Sequence, residues 1–172
     1  AVLRARLGEE LFGADLHAGL SNEGHNCRRM FSPSQHDVRR FFCEAWRKDR
    51  EGLALEAIEV LAAQWISEHP EHQAELADVN AALAAHYSVD SGRTNPFLHL
   101  SMHLTISEQC SIDQPRGIRQ AVELLAAKRA SLHDAHHHVM ECLGEMVWAS
   151  QRSGQPPDGQ AYLERVRQRA TR

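Results

Sequence analysis

Two histidines stand one helical turn apart in an otherwise apolar segment. His99 and His103 lie within residues 95–106, where a helical period places apolar side chains on every side. A helix of this kind is normally buried, and a buried imidazole costs free energy unless it is hydrogen-bonded, paired with a charge or bound to a metal. We therefore expect polar partners for both side chains. Because the two share one face of the helix, they could also share one ion.

Histidine and glutamate residues recur at four-residue spacing later in the chain, from residue 133 to residue 145. On a helix this spacing makes a ridge that advances by about 40° at each step. Two helices that face each other with histidine and carboxylate side chains are typical of metal sites in helical bundles. The predicted metal-site residues are His99, His103, His133, His137, Glu141 and Glu145.

The predicted residues differ in role. His99, His103 and His137 are expected to be metal ligands, and Glu141 a ligand or a general base, whereas His133 and Glu145 are expected to be secondary ligands or to orient the others. Imidazoles with one carboxylate suit zinc, iron, manganese or nickel, while calcium and magnesium prefer oxygen ligands. An open coordination position would permit metal-assisted hydrolysis or small-molecule redox chemistry. A dinuclear centre is disfavoured because the paired E-x-x-H pattern is absent.

A second interpretation of the same residues needs no metal. Histidines one turn apart can bond to each other, to a backbone carbonyl or to a buried acid. The protein would then be a non-catalytic interaction module with a buried histidine hydrogen-bond network. The stretch 51–92, which contains acidic residues and no Lys or Arg, would offer a surface to a basic partner.

Other clusters have simpler explanations. The segment 69–72, His-Pro-Glu-His, could add ligands, but turn formation at a helix junction accounts for it. Asp113, Arg116 and Arg119 could hold an anion at a helix start, although a cap with solvated arginines is the simpler account. His136 falls near the apolar arc of its helix. The sequence has no Walker loop, no G-x-S-x-G and no G-x-G-x-x-G motif.

Capping residues mark the helices that must position these side chains. Ser32 predicts an N-cap that forms a capping box with Gln35, and Asn95 repeats the pattern before a proline. Ser131 is expected to cap a helix that Gly154 ends. The first predicted helix runs from Ser32 to about Arg50. Further helices are predicted over about 53–69, 71–85, 95–110, 115–130 and 131–153, and a short terminal helix starts at 156.

These elements predict an all-α fold, a single-domain helical bundle of about six to seven helices. The bundle is expected over residues 30–172, after an N-terminal extension, 1–29, that is weakly structured or forms a short helix. Phe41, Phe42 and Trp46 leave two roles open, the core or a surface for homo-oligomers.

Composition narrows the range of partners. A chain of 172 residues with 42% hydrophobic residues can bury a sizeable core, and its net charge of -4 gives no electrostatic reason to expect nucleic acid or an anionic membrane. No apolar run predicts a membrane span or a signal peptide. The four cysteines are scattered, without a disulfide framework or a C-x-x-C pair, which indicates a cytoplasmic protein.

Several phrases of the sequence also resemble a known family. They are Met-Phe-Ser-Pro-Ser from residue 30, Thr-Asn-Pro-Phe-Leu-His-Leu-Ser-Met-His-Leu from 94, Ser-Ile-Asp-Gln-Pro-Arg-Gly-Ile-Arg from 111 and Val-Met-Glu-Cys-Leu-Gly-Glu-Met-Val-Trp from 139. Over about residues 30–164 the chain is similar to the bacterial domain of unknown function 1841. The resemblance implies a bacterial cytosolic helical protein and no particular activity. It does not securely include His136 and His138.

Overall fold

The computed structural model describes residues 34–87 and 94–171. The predicted extension 1–29 lies outside these residues. Every regular element in the described ranges is helical, which confirms the all-α class. The α-helices are α1 (Gln35–Arg50), α2 (Ala57–Ser67), α3 (Gln73–Leu76), α4 (Val79–Ala84), α5 (Pro96–Ile112), α6 (Ile118–Arg129), α7 (Leu132–Ser153) and α8 (Gly159–Thr171), and a 3-10 turn covers Pro70–His72.

The chain divides into two compact units, and the division falls after Leu104, inside helix α5. We call the described residues up to 104 the first unit and the described residues from 105 the second unit. The first unit contains α1 to α4 and the start of α5, and the second contains the rest of α5 and α6 to α8. The expectation of one domain over 30–172 stays a prediction.

Helix α1 begins two residues later than its capping pattern predicted. Ser34 is the N-cap: its Oγ accepts a hydrogen bond from the backbone N–H of Asp37 at 3.2 Å, and the Asp37 carboxylate accepts one from the backbone N–H of Ser34 at 2.9 Å. This backbone bond holds the pKa of Asp37 below its ordinary value. The predicted N-cap Ser32 lies outside the described residues; within them Ser34, with an aspartate three residues later, forms the capping box, and Gln35 is the first helical residue.

The second predicted helix is shorter, and the third is broken. Helix α2 covers Ala57–Ser67, and the 3-10 turn starts at Pro70, where a proline disfavours the helical conformation of the preceding residue. The stretch predicted as one helix, 71–85, contains the rest of this turn and the short helices α3 and α4. Asp78 separates the two helices because its carboxylate caps α4, accepting from the N–H groups of Asn80 and Ala81.

Helix α1 packs against α2, α3 and α4 in the first unit. Phe42, Ile66 and Leu76 are nearly inaccessible in its core, and Phe97 and Leu100 from the start of α5 join them. The open question about the α1 aromatics is therefore answered for Phe42, which is a core residue. Its neighbours Phe41 and Trp46 are partly buried against the same core.

Helix α5 has the predicted start and the predicted burial. Asn95 Oδ1 accepts hydrogen bonds from the N–H groups of Phe97 at 3.0 Å and Leu98 at 3.2 Å, and Pro96, which has no N–H to satisfy, is the first helical residue. Phe97, Leu100 and His103 are fully buried. The histidines of this helix therefore lie among apolar side chains, and the environment of each must be supplied by neighbouring elements.

In the second unit, α6, α7 and α8 pack against one another. Its core includes Leu125, Val139 and Leu163. Ser131 caps α7 by accepting from the N–H of Asp134 at 3.0 Å, and Gly154 ends the helix with a φ of 65°, so both predictions are confirmed. Among the described helices, none combines the length and apolar character needed to traverse a bilayer.

Candidate metal centre

Three imidazoles of the first unit converge through their Nε2 atoms. The Nε2 of His69 lies 2.9 Å from Nε2 of His99 and 3.1 Å from Nε2 of His103. His69 and His103 are almost completely buried, and His99 is half-buried. We call His69, His99 and His103 the histidine cluster. The predicted pair on α5 is therefore joined by a third imidazole that the sequence analysis assigned to a turn.

Two elements bring these side chains together. His99 and His103 are four residues apart on α5, which places them on the same face with ring centroids 5.0 Å apart. His69 follows the end of α2 and precedes the turn at Pro70, with a non-helical backbone (φ −127°, ψ 66°). The helix must end before Pro70, and this ending places the ring of His69 against α5.

Trp65 holds two members of the histidine cluster in place. Its backbone carbonyl lies 2.6 Å from Nδ1 of His69, and because a carbonyl only accepts, Nδ1 of His69 carries the proton and donates it. Its indole stacks on the ring of His103, with centroids 4.0 Å apart and planes inclined by 20°. The bond fixes the tautomer of His69, so in the neutral imidazole the Nε2 lone pair points toward His99 and His103.

This geometry suits a cation better than a set of hydrogen bonds. The in-plane lone pair of one neutral imidazole nitrogen accepts one good hydrogen bond, whereas two imidazoles approach Nε2 of His69. Nitrogen ligands at 2.0–2.1 Å from a tetrahedral zinc ion are about 3.3 Å apart. The observed separations of 2.9 and 3.1 Å are close to that value, so small rotations of the rings would seat an ion between them.

A fourth histidine and a carboxylate border the histidine cluster. His72 is buried, and its ring is nearly parallel to that of His69, with the two centroids 5.8 Å apart. The centroid of the His72 ring is 5.5 Å from that of His99. The carboxylate of Glu71 lies 3.9 Å from Nε2 of His72. Desolvation raises the pKa of the Glu71 carboxyl group. The hydrogen bond with its own backbone N–H and the Coulombic effect of the nearby imidazoles lower it by more, so the pKa of Glu71 lies below its ordinary value. The site therefore has negative charge beside it.

The other predicted residues lie on α7, in the second unit. His133 and His137 are neighbours, with ring centroids 4.3 Å apart, and the Asp134 carboxylate lies 3.8 Å from Nδ1 of His133. Glu141 is exposed and pairs with Arg169. Their assignment as metal ligands is a prediction that the geometry of α7 alone does not decide.

Glu145 and His136 also have defined surroundings. Glu145 accepts from Arg165 at 3.4 Å and lies 3.9 Å from Arg169, so arginines of α8 neutralise this carboxylate. His136 is buried, as its position near the apolar arc predicted. Desolvation, with smaller contributions from His137 and His133, lowers the pKa of His136 to about 3, so this imidazole is neutral at physiological pH.

The weaker clusters are structural. The Asp113 carboxylate accepts from the N–H groups of Gly117 at 2.9 Å and Arg119 at 3.2 Å, and the Arg119 guanidinium donates to the carbonyls at the end of α5. These bonds agree with the simpler account, a helix cap. Burial raises the pKa of the Cys43 and Cys110 thiols to about 11, so neither supplies a thiolate at neutral pH.

His69 is the residue that the sequence analysis undervalued. The turn that was offered as its explanation does exist, since Pro70 begins the 3-10 turn. The same break in the helix also directs the side chain of His69 toward α5. A histidine immediately before a helix-ending proline, in a chain that already has a buried histidine pair, was the pattern that could have identified it.

Comparison with known proteins places the chain in a family without giving it an activity. The model of the family described as Domain of unknown function (DUF1841) matches residues 34–168. No curated protein and no solved structure matches the chain. The match covers most of the chain, including both histidines of α5 and His69, and agrees with the resemblance of its sequence phrases. The chain therefore belongs to the DUF1841 family, a domain of unknown function.

Proposed function

We propose that the first unit binds a divalent transition-metal ion through the Nε2 atoms of His69, His99 and His103. The observation that carries the proposal is the approach of three Nε2 atoms, at 2.9 and 3.1 Å from the central one, in a largely buried site. Neutral imidazole nitrogens favour zinc, iron, manganese or nickel over calcium and magnesium. The hydrogen bond from His69 to the Trp65 carbonyl supports the proposal because such partners typically orient histidine ligands.

Three nitrogen ligands leave at least one coordination position for a water or a small molecule. Because the side chain of His99 is only half-buried, an ion held by the histidine cluster would be accessible from solvent on that side. A metal ion with such an opening lowers the pKa of bound water or binds a small substrate, so we propose metal-assisted hydrolysis or small-molecule redox chemistry as the reaction class. The imidazole ligands supply no proton acceptor of their own once they are bound to the ion.

The remaining predicted ligands are kept as separate hypotheses. His137 and Glu141 were predicted to complete the coordination shell, and the ion pair of Glu141 with Arg169 competes with such a role. The proposal therefore needs only the histidine cluster. Substituting His137 or Glu141 measures whether either residue contributes to the same ion.

Metal titration of protein that has been stripped with a chelator tests the proposal. We expect zinc to bind tightly to the full chain, and cobalt to give absorption bands of a nitrogen-coordinated ion. His99→Ala and His103→Phe should each remove the zinc and cobalt bound at the histidine cluster, which the titration shows as the loss of one equivalent, and His103→Phe keeps a ring stacked on Trp65. His86→Ala is the matched control, because His86 is an exposed histidine of the same unit.

The competing function, a non-catalytic module with a histidine hydrogen-bond network, is favoured by the fact that both N–N distances lie within hydrogen-bond range. It predicts that zinc neither binds at the histidine cluster nor raises the unfolding temperature. Equal zinc affinity of wild type, His99→Ala and His103→Phe, with all three folded by circular dichroism, would overturn the metal proposal in favour of this alternative.

A further inference from the structure

Helix α7 presents a second group of metal-binding side chains near its start. His133 and His137 are one turn apart, and their rings are inclined by 63° with centroids 4.3 Å apart. Asp134 lies beside them, and one ligand atom from each of the three residues lies within 4.8 Å of the others. We call His133, Asp134 and His137 the α7 triad. All three belong to one helix of the second unit, so its backbone fixes their spacing.

The α7 triad differs from the histidine cluster in its exposure. The side chains of His133 and Asp134 are 28% and 60% exposed, and His137 is half-buried. An ion bound there would keep several water ligands, and no desolvation of a charged site would oppose its binding. Two imidazoles one turn apart on a helix can chelate one ion, because two nitrogens at 2.0–2.1 Å from a zinc ion are about 3.3 Å apart.

Further along α7, the glutamates are neutralised. Arg169 pairs with Glu141, and Arg165 and Arg169 lie beside Glu145. Two arginines next to these carboxylates oppose the approach of a cation to that part of the helix. Asp134 lies between the two histidines along the chain, and its carboxylate is 3.8 Å from Nδ1 of His133. The negative charge that can join the two imidazoles is therefore that of Asp134.

We propose that the α7 triad is a second, solvent-accessible site for a divalent ion of intermediate softness, such as zinc, nickel or copper. The two nitrogens and one oxygen bind the ion, and water fills its remaining positions. This assignment gives His137 a role different from the one predicted from sequence, where it completes the site on α5. It does not depend on the function proposed for the first unit.

Copper and zinc titrations of the full chain test this site. His99→Ala/His103→Phe double-variant protein, which lacks two ligands of the histidine cluster, should still bind one ion. Adding His133→Ala should weaken that remaining binding by roughly tenfold or more, since even residues outside the first coordination shell contribute that much. His138→Ala on the same helix is the matched control and should leave it unchanged. The electron paramagnetic resonance spectrum of bound copper should show two nitrogen ligands.

Three results would overturn the assignment. The first is that the double variant binds no ion, and the second is that the ion binds equally well with and without His133. The third is that His137→Ala weakens metal binding in the otherwise wild-type protein whereas His133→Ala does not. The last result would assign His137 to the histidine cluster. His133→Asn, which is smaller in its effect on packing, guards against misfolding, and circular dichroism checks each variant. If instead His133→Ala removes all zinc binding of wild type and His99→Ala removes none, the function proposed for the first unit fails while the α7 site stands.

Discussion

The two units use the same residue types at the same spacing in different surroundings. In the first unit, His99 and His103 lie on a helix with apolar residues on every side, and His69 arrives from another element to meet them. In the second unit, His133 and His137 lie on a partly exposed helix face beside an aspartate of the same helix. Spacing along a helix makes neighbours, but burial and the third partner decide whether the neighbours form an enclosed site.

The largest expected effect concerns the aromatic side chains of the two units. Trp65 is 7% exposed and stacks on His103, whereas Trp148 is 59% exposed with the Arg152 guanidinium 4.9 Å from its ring centroid. Trp65→Ala should cost about 3–5 kcal/mol of unfolding free energy, as expected for a buried tryptophan. It should also weaken zinc binding by about 10–100-fold through loss of support for His103. Urea unfolding and zinc titration measure the two quantities.

Trp148→Ala is the matched control for this prediction. It should cost less than about 1 kcal/mol, because it removes only an exposed cation–π contact. Trp65→Phe retains an aromatic ring and should restore most of the zinc affinity. Equal destabilisation by Trp65→Ala and Trp148→Ala would remove the contrast in burial between the two regions.

Metal removal should separate the two sites thermodynamically. Zinc at about a hundred times its dissociation constant stabilises a folded protein by about 2.7 kcal/mol. For a chain of this size, that corresponds to about 5–10 °C in unfolding temperature. We expect a chelator to remove this stabilisation from wild type. Differential scanning calorimetry should show that His69→Ala loses most of the zinc-dependent increase in unfolding temperature, while His133→Ala keeps most of it. The reverse pattern would place the tighter ion on α7.

An intermediate effect should come from the enclosed ion pair of the first unit. Lys48 Nζ lies 2.7 Å from the carboxylate of Glu59, a residue that is 7% exposed, and the hydrogen bond from Lys48 is the main cause of the lowered pKa of Glu59. A lowered carboxyl pKa means that the pair stabilises the folded state above the ordinary pKa and that this stabilisation is lost as pH falls through the lowered value.

Glu59→Gln should therefore destabilise the protein at neutral pH, and wild type and variant should become equally stable in acid. Unfolding free energies followed from about pH 7 downward through the ordinary carboxyl pKa measure this difference, which should shrink steadily as the pH falls. A difference that persists in acid would show that Glu59 acts by packing and its backbone hydrogen bond rather than by its charge.

The smallest effect is expected from the exposed ion pair of the second unit. Glu141 is 60% exposed where it meets Arg169, and pairs of this kind contribute about 0.2–1 kcal/mol. Glu141→Gln should fall within that range in urea unfolding and should leave zinc stoichiometry unchanged. A loss of bound zinc in Glu141→Gln would instead support the role predicted for Glu141 from sequence, as a ligand or general base.

Local patterns predicted the helices better than they predicted the partners of the side chains. Asn95, Ser131 and Gly154 each act where the sequence indicated, because caps depend on residues within one turn. The capping box of α1 was predicted two residues too early because the sequence has a serine at both 32 and 34. The third predicted helix is broken near Asp78, whose carboxylate caps the start of α4.

The partners were harder to predict because they lie far along the chain. His69 is 30 residues before His99 in sequence, and Arg169 is 28 residues after Glu141. A helical period shows which side chains share a face, and it carries no information about which other element covers that face. The histidine pair of α5 could therefore be predicted, while the central imidazole and the arginine beside Glu141 required the tertiary structure.

If the histidine cluster holds an ion as proposed, its unequal burial has a consequence for the rate of metal exchange. His69 and His103 are enclosed, and His99 is the member that reaches toward solvent. Ion exchange would then begin with detachment of His99, so this residue would govern how fast an ion leaves. Its two enclosed partners would govern how long a partly detached ion is retained. A protein built this way would release its ion in steps, with the outermost ligand acting first.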